Sequence, residues 1–136
     1  MQRCKYLDEL GIKIEKYGTN FTDEEDKRSN EWKQQRELYG FDERETWNLN
    51  EIFIQWIYTR VKMYKEISCV NTEYHKITYQ DKEITQGEAI DRILELAKEI
   101  LQNDFYSTDI KVIEMIYNNS REICDLWKEI LPLMWW

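Results

Sequence analysis

The feature that most constrains the fold is the run "TQGEAIDRILELAKEIL", which spans residues 85–101. Thr85 and Glu88 have the spacing of a capping box, in which each side chain satisfies a free backbone N–H group at a helix start. The apolar residues that follow recur at helical spacing and share one face: Ala89, Ile90, Ile93, Leu94, Leu96, Ala97, Ile100 and Leu101. Because such a face is stable only when it is buried, the run predicts a helical core.

Few residues in this chain would interrupt a helix, since it has only four glycines and one proline. Apolar spacing and end signals predict three further helices besides the aromatic one considered below. Their expected bounds are residues 3–17, from the capping-box sequence Thr22–Glu25 to Gly40, and from Asp109 to Leu131, just before Pro132.

Apolar residues also predict which sides of these helices are buried. The first helix carries Tyr6, Leu7, Leu10, Ile14 and Tyr17. The second is very polar, and its main apolar anchors are Trp32, Leu38 and Tyr39. The expected buried side of the last helix comprises Ile113, Ile116, Tyr117, Cys124, Trp127 and Leu131, widened by Val112, Met115, Leu126 and Ile130.

The segment "RETWNLNEIFIQWIYTRVKMYKE", residues 44–66, predicts one long aromatic helix with Asn48 as its N-cap and Glu51 as its third residue. At about 100° per residue, one arc of this helix contains Leu49, Phe53, Trp56, Ile57, Tyr64 and Ile67. Arg60 lies inside the same arc. If the arc is buried, as its composition predicts, a permanent positive charge lies within the core.

Residues 72–84, "TEYHKITYQDKEI", alternate around a polar turn, a pattern typical of a small β-hairpin. The chain is therefore predicted to be mainly α: a compact bundle of about five helices with a small hairpin near residues 72–84. Its length of 136 residues fits a single helical domain, residues 1–136.

Charge and cysteine usage exclude several classes of function. Acids outnumber bases 27 to 19, and the net charge of −8 argues against direct nucleic-acid binding, which depends on Lys and Arg. Cys4, Cys69 and Cys124 are odd in number and far apart, as expected of reduced cytoplasmic thiols. With one histidine and no apolar run of membrane-spanning length, we expect no metal, no cofactor, no membrane contact and a cytoplasmic location.

Arg60 is the first candidate for a binding residue, and two interpretations are open. A buried guanidinium needs a carboxylate, backbone carbonyls or an anionic ligand, because it cannot lose its proton. Arg60 could therefore form a structural ion pair, or lie on Trp56 with its head in water. Alternatively Trp56 and Tyr64, one turn away on either side, could stack on a nucleotide whose phosphate contacts Arg60.

A second candidate cluster is "GFDERETW", residues 40–47, directly before that helix. Arg44, Glu45 and Trp47 would lie at a helix N-terminus, where backbone N–H groups favour an anion. The alternative is that these residues only cap the helix and dock the loop.

The chain ends in "PLMWW", and two exposed tryptophans at a terminus would be unfavourable in water. Trp135 and Trp136 are therefore expected to pack either on their own core or on a second subunit, as in a homodimer.

Enzymatic signatures are weaker. His75 has no serine or cysteine at a motif spacing, so it is more typical of a half-exposed strand residue than of a base. Glu88 and Asp91 form an E-x-x-D pair like half of the signature of all-α nucleotide pyrophosphatases, but the matching upstream pair is missing and Glu88 already belongs to a capping box. A small nucleotide hydrolase that uses Glu and Asp carboxylates with a divalent metal therefore remains the alternative function.

Three stretches carry a resemblance: "GFDERETWNLNEIFIQWIYTRVKMYKE", "YHKITYQDKEITQGEAIDRIL" and the terminal "PLMWW". Over residues 40–136 the chain resembles short, largely uncharacterised proteins encoded by phages and integrated elements of Gram-positive gut bacteria. The resemblance implies an accessory protein that binds and inhibits a host or defence component. Such counter-defence proteins block an effector through a protein surface, here acidic and aromatic, or sequester a nucleotide signal.

Overall fold

A computed structural model describes residues 4–12 and 27–135 of the chain. This part is mainly α-helical with one small antiparallel hairpin, as predicted. The chain divides into two compact units, Met1–Phe53 and Ile54–Trp136, and the division falls within helix α4. In chain order the elements are α1 (Lys5–Asp8), α2 (Ser29–Tyr39), α3 (Arg44–Trp47), α4 (Leu49–Ile67), β1 (Lys76–Tyr79), β2 (Lys82–Thr85), α5 (Gln86–Leu101), α6 (Ile110–Ile130) and a 3-10 helix (Leu131–Leu133).

The first helix is shorter than predicted. Instead of continuing towards residue 17, α1 ends at Asp8, and the turn after it includes Gly11 with a φ of +73°. Glycine adopts this left-handed conformation at little cost, so it ends a helix readily. Residues 3 and 13–17 of the predicted helix, and the predicted capping box Thr22–Glu25, lie outside the described residues.

Helix α2 ends where the sequence predicted. Gly40 has a φ of +84° and donates its backbone N–H to the carbonyl of Arg36, a glycine C-terminal cap. Of the three predicted apolar anchors, Trp32 is fully buried, but Leu38 and Tyr39 are exposed. The prediction was wrong for these two because they occupy the last turn, beside the exposed cap.

Asn48 separates the short helix α3 from α4, so the predicted helix boundary at Asn48 is confirmed. The segment directly before Asn48 is also helical and forms α3. The predicted buried arc of α4 is correct at Ile57, half-correct at Tyr64, which is half-buried, and wrong at its other members. The side chains that the structure buries are Ile54, Ile57, Tyr58, Thr59 and Val61, whereas Leu49, Phe53, Trp56, Arg60 and Ile67 are exposed. The helix is apolar on two sides, and apolar spacing cannot decide which side faces the core.

The core of the second unit forms where α5 packs on α6. The predicted face of α5 is confirmed: Ala89, Ile90, Ile93, Leu96, Ala97, Ile100 and Leu101 are buried and Leu94 is half-buried. Helix α6 begins after Asp109, where its start was predicted, and the side chain of Asp109 caps it by accepting from the backbone N–H of Lys111.

The buried side of α6 differs from the prediction. Of the predicted residues, Leu126 and Ile130 are buried, whereas Tyr117, Cys124 and Leu131 are exposed and the others are half-buried. Asn119 and Ile123, which the prediction did not include, are also buried, because packing on α5 determines which side of α6 is covered. Pro132 ends the α-helix, and a 3-10 turn follows.

The predicted hairpin is confirmed, with Tyr79 paired to Lys82 across a two-residue loop. Gln80 and Asp81 form this loop with φ values of 50° and 60°, which matches the mirror-image turns that two-residue hairpins prefer. The second strand leads directly into α5, whose first turn Thr85 caps by accepting from the N–H of Glu88 at 3.1 Å. A Cβ atom on Gly87 would lie 2.9 Å from the hydroxyl of Thr72, so this close approach requires glycine.

Candidate functional site

The sequence-predicted binding residues fall into both units. Arg44 and Trp47 belong to the first unit, whereas Trp56, Arg60 and Tyr64 belong to the second, as does Trp135. Each group is therefore described within its own unit. Trp136 lies outside the described residues.

Arg44 is fully buried, with an exposed fraction of 1%, and its partner is Asp42. Its Nε donates to Oδ1 of Asp42 at 2.9 Å and its Nη2 to Oδ2 at 2.8 Å, a two-pronged pairing. The backbone N–H of Arg44 also donates to Oδ1, at 3.1 Å, and Arg36 donates to Oδ2 at 2.7 Å. The carboxylate of Asp42 thus ties α2 to the start of α3.

The electrostatics of Asp42 follow from this geometry. Burial acts to raise its pKa, but the hydrogen bonds from Arg44 and Arg36 outweigh burial and lower the pKa to about 2. Asp42 is therefore ionised throughout the physiological pH range, and its negative charge balances the buried positive charge of Arg44.

Aromatic rings complete this cluster in the first unit. The guanidinium carbon of Arg44 lies 4.1 Å from the Trp32 ring centroid, and the rings of Trp32 and Trp47 meet edge to face at 6.0 Å. Arg28 lies within 5.1 Å of both rings, and the indole N–H of Trp32 donates to Glu43 at 3.0 Å. This arrangement corresponds to the loop-docking alternative for Arg44. The sequence signal for the Arg44 pairing is Asp42, two residues earlier, which the prediction did not include.

In the second unit, Trp56, Arg60 and Tyr64 line one side of α4. Trp56 is 43% exposed and meets Trp127 of α6 edge to face at 6.5 Å. The guanidinium of Arg60 is exposed, donates to the hydroxyl of Thr59 at 2.9 Å, and lies 5.8 Å from the Trp56 ring. The positive charge of Arg60 is therefore not buried. Arg60 matches the interpretation in which its aliphatic stem lies on Trp56 and its guanidinium reaches water.

The exposed side of α4 is larger than these three residues. Its members within the second unit are Trp56, Arg60, Met63 and Ile67, which we call the outer face. All four are exposed, and Arg60 carries the one charge among them. The sequence pattern showed most of this stripe but assigned it to the core.

Residues 133–135 lie beside α4 and α5. The hydroxyl of Tyr64 donates to the backbone carbonyl of Trp135 at 3.1 Å, and the amide of Gln86 donates to the carbonyl of Leu133 at 3.3 Å. The backbone of the terminal segment is thus held on its own unit. The side chain of Trp135 remains 67% exposed.

The carboxylates considered for catalysis have structural partners. Glu88 accepts from the hydroxyl of Thr85, Asp91 pairs with Lys65, and Glu122 accepts two hydrogen bonds from Arg92. Burial and a hydrogen bond to Glu122 raise the pKa of Tyr79.

His75 and the possible metal ligands add no further site. The ring of His75 meets that of Tyr74 edge to face at 5.1 Å. Within residues 4–12 and 27–135, no three His, Cys, Asp or Glu side chains converge as metal ligands.

Among the helices in the described ranges, none is both long and apolar enough for a membrane span. No protein-family model matches the chain, and no curated protein or solved structure shows significant similarity to it.

Proposed function

We propose that this protein is a non-enzymatic binding protein that engages another protein through the outer face of α4. The observation that supports the proposal is the exposure of Trp56 and Arg60 on one helix, with the half-buried Tyr64 one turn further on and Trp135 nearby. Trp, Tyr and Arg are the residues most enriched among those that dominate protein–protein binding energy. Exposed apolar surface on this scale usually marks an interaction site.

The partner that we propose is a host or defence protein, which the chain binds and thereby inhibits. The resemblance of residues 40–136 to phage and integrated-element proteins supports this context, together with a cytoplasmic location in the bacterial host. The net charge of −8 favours a partner with a basic surface, because opposite potentials accelerate encounter.

A nucleotide held by Arg60 and the neighbouring rings is the second candidate. It is supported by the 5.8 Å approach of Arg60 to Trp56, an aromatic–cation pair that suits a base and its phosphate. The exposure of Trp56 and Arg60 favours a macromolecule instead, because small-molecule sites enclose most of the ligand surface.

The alternative of a metal-dependent hydrolase has less support. Glu88, Asp91 and Glu122 are engaged in a cap and in ion pairs, and a catalytic carboxylate must be available to the substrate or metal. A turnover assay against a nucleotide panel with Mg²⁺ tests this alternative directly, and release of product at enzyme-proportional rates would replace our proposal.

The principal experiment compares affinity capture from host lysate by the parent protein and two variants. Trp56→Ala should weaken capture of the partner by about 30-fold or more, the effect of losing a hot-spot side chain worth ~2 kcal/mol. Tyr74→Ala is the matched control, because it removes another exposed aromatic side chain of the same unit. Circular dichroism and melting curves establish that both variants remain folded.

Three results would contradict the proposal. Equal capture by Trp56→Ala and the parent would remove the outer face from the interface. Equal losses in both variants would show nonspecific aromatic adhesion. A thermal shift produced by a nucleotide alone, and abolished by Arg60→Met, would support the nucleotide candidate instead.

A further inference from the structure

Gln86, the first residue of α5, has a buried side-chain atom without a hydrogen-bond partner. The residue is fully buried. Its amide nitrogen donates to the carbonyl of Leu133 and to Sδ of Met134, each at 3.3 Å. Its amide oxygen Oε1 accepts no hydrogen bond. A buried acceptor without a donor is unfavourable, so this amide is only half satisfied.

The two contacts of the amide nitrogen fix the orientation of this side chain. A carbonyl oxygen and a thioether sulfur can only accept, so the NH2 group must face Leu133 and Met134. Turning the amide over would place Oε1 against two acceptors. The unpaired acceptor therefore follows from the environment of Gln86.

The two residues that follow Leu133 use their backbone N–H groups within their own segment. The N–H of Met134 donates to the carbonyl of Leu131 at 3.2 Å, and that of Trp135 donates to the carbonyl of Leu133 at 3.0 Å. Met134 has φ −86° and ψ 65°, the angles of an inverse γ-turn, which the second of these bonds closes. The segment therefore offers acceptors to Gln86, and Oε1 stays unpaired.

Tyr64 of α4 makes a second contact of the same kind. Its hydroxyl donates to the carbonyl of Trp135 at 3.1 Å. Gln86 and Tyr64 thus both bind main-chain carbonyls, and the two carbonyls are two residues apart. In an extended strand, carbonyls with this spacing lie on the same edge. Because main-chain contacts do not depend on side-chain identity, the two donors suit a peptide of another sequence.

We propose that Gln86 and Tyr64 form a recognition site for the backbone of an extended peptide, and that residues 133–135 occupy this site as an internal ligand. The external ligand is an extended segment of a partner protein, with apolar side chains like the half-buried ones of Leu133 and Met134. An extended peptide keeps its N–H groups free for intermolecular bonds. It can therefore donate to Oε1 of Gln86 while its carbonyls accept from both side chains.

The proposed site depends on the proposed function only for the source of the peptide, which is the partner protein. Tyr64, Gln86 and residues 133–135 all belong to the second unit. The site is therefore a property of this unit, and a synthetic peptide can test it without a host partner.

Binding of a peptide in trans tests the site. The probe is a dye-labelled, amidated peptide with the sequence LPLMW of residues 131–135, and fluorescence anisotropy measures its dissociation constant. In the parent, the attached segment competes at an effective concentration on the order of millimolar, so the probe should bind weakly.

Met134→Pro should bind the probe about tenfold more tightly than the parent, or better. The proline removes the N–H that donates to Leu131 and disfavours the helical conformation of Leu133, so the internal ligand is released. Met134→Leu is the matched control, because it keeps this N–H, and it should bind the probe like the parent. Met134→Gly, which loosens the same turn through its greater flexibility, serves as the second variant if Met134→Pro does not fold.

Gln86→Met, added to Met134→Pro, tests the contact itself. Methionine has a similar length but neither the donor nor the unpaired acceptor, so probe binding should weaken by about tenfold while the melting temperature is retained. Gln102→Met makes the same change at an exposed residue directly after α5 and should leave probe binding unchanged.

Methylation of single backbone nitrogens in the probe identifies the N–H group that Gln86 accepts. One methylated peptide should bind Met134→Pro about tenfold more weakly than the others, because it has lost this donor. The difference should disappear in the protein that also carries Gln86→Met, since the acceptor is then absent.

Three results would overturn the site: no tighter binding of the probe by Met134→Pro or Met134→Gly, undiminished binding after Gln86→Met, or equal binding of all methylated peptides. None of them bears on host capture through the outer face. Conversely, if the probe binds as described while Trp56→Ala leaves host capture unchanged, the peptide site stands and the outer-face proposal falls.

Discussion

At the scale of residues, two arginines 16 positions apart have opposite environments. Arg44 is buried against Asp42, whereas Arg60 is exposed on α4. Helical spacing predicted that Arg60 would be buried. Such spacing shows which residues share one side of a helix, but it does not show which side faces the core. The partner of Arg44 was visible in the sequence, since an acid two residues before it can share one turn.

Replacing Asp42 with Asn should destabilise the protein by about 3 kcal/mol, because it leaves the buried Arg44 charge without its counterion. Guanidinium unfolding monitored by tryptophan fluorescence measures the change. Glu37→Gln is the control, since it removes an exposed carboxylate from the adjoining helix, and we expect it to shift stability by less than about 0.5 kcal/mol. Equal effects of the two substitutions would contradict a structural role for the Asp42–Arg44 pair.

Acid should weaken this pair in a defined window. The pKa of Asp42 is lowered from 3.8 to about 2 in the folded chain, so its ionised form stabilises the fold above about pH 4. That contribution, about 2 kcal/mol, is lost as the pH falls through 3.8 towards 2. As the pH falls from about 6 to below about 2, the unfolding free energy of the parent should therefore decrease by about 2 kcal/mol more than that of Asp42→Asn. Parallel loss in both proteins would exclude Asp42 as the titrating group.

At the scale of elements, the sequence predicted best where helices are apolar on one side only. The face of α5, its Thr85 cap and the start of α6 at Asp109 follow from local patterns, because each signal has one physical solution. Helix α4 has two apolar sides, and tertiary packing alone chose between them. The outer face was thus present in the sequence pattern, but its exposure could not be predicted from it.

The hairpin turn offers a test of local strain. Asp81 has a φ of 60°, a conformation that costs a non-glycine residue about 1 kcal/mol. Asp81→Gly should therefore raise the unfolding free energy by up to about 1 kcal/mol, partly offset by the greater freedom of glycine in the unfolded chain. The same substitution at Lys82, in the adjoining strand, should be destabilising. Thermal melts of both variants would contradict the turn assignment if Asp81→Gly melted lower than the parent.

At the scale of the whole molecule, composition and surface lead to different expectations about association. A net charge of −8 opposes self-association at low ionic strength, whereas the outer face of α4 favours it. The terminal residues Trp135 and Trp136 were expected to pack on the core or mediate a dimer. The backbone of Trp135 is held by Tyr64, and the larger exposed apolar stripe lies on α4. Because salt screens the net charge, capture of the proposed basic partner should weaken as the salt concentration rises, and the capture assay repeated across a salt series measures the loss.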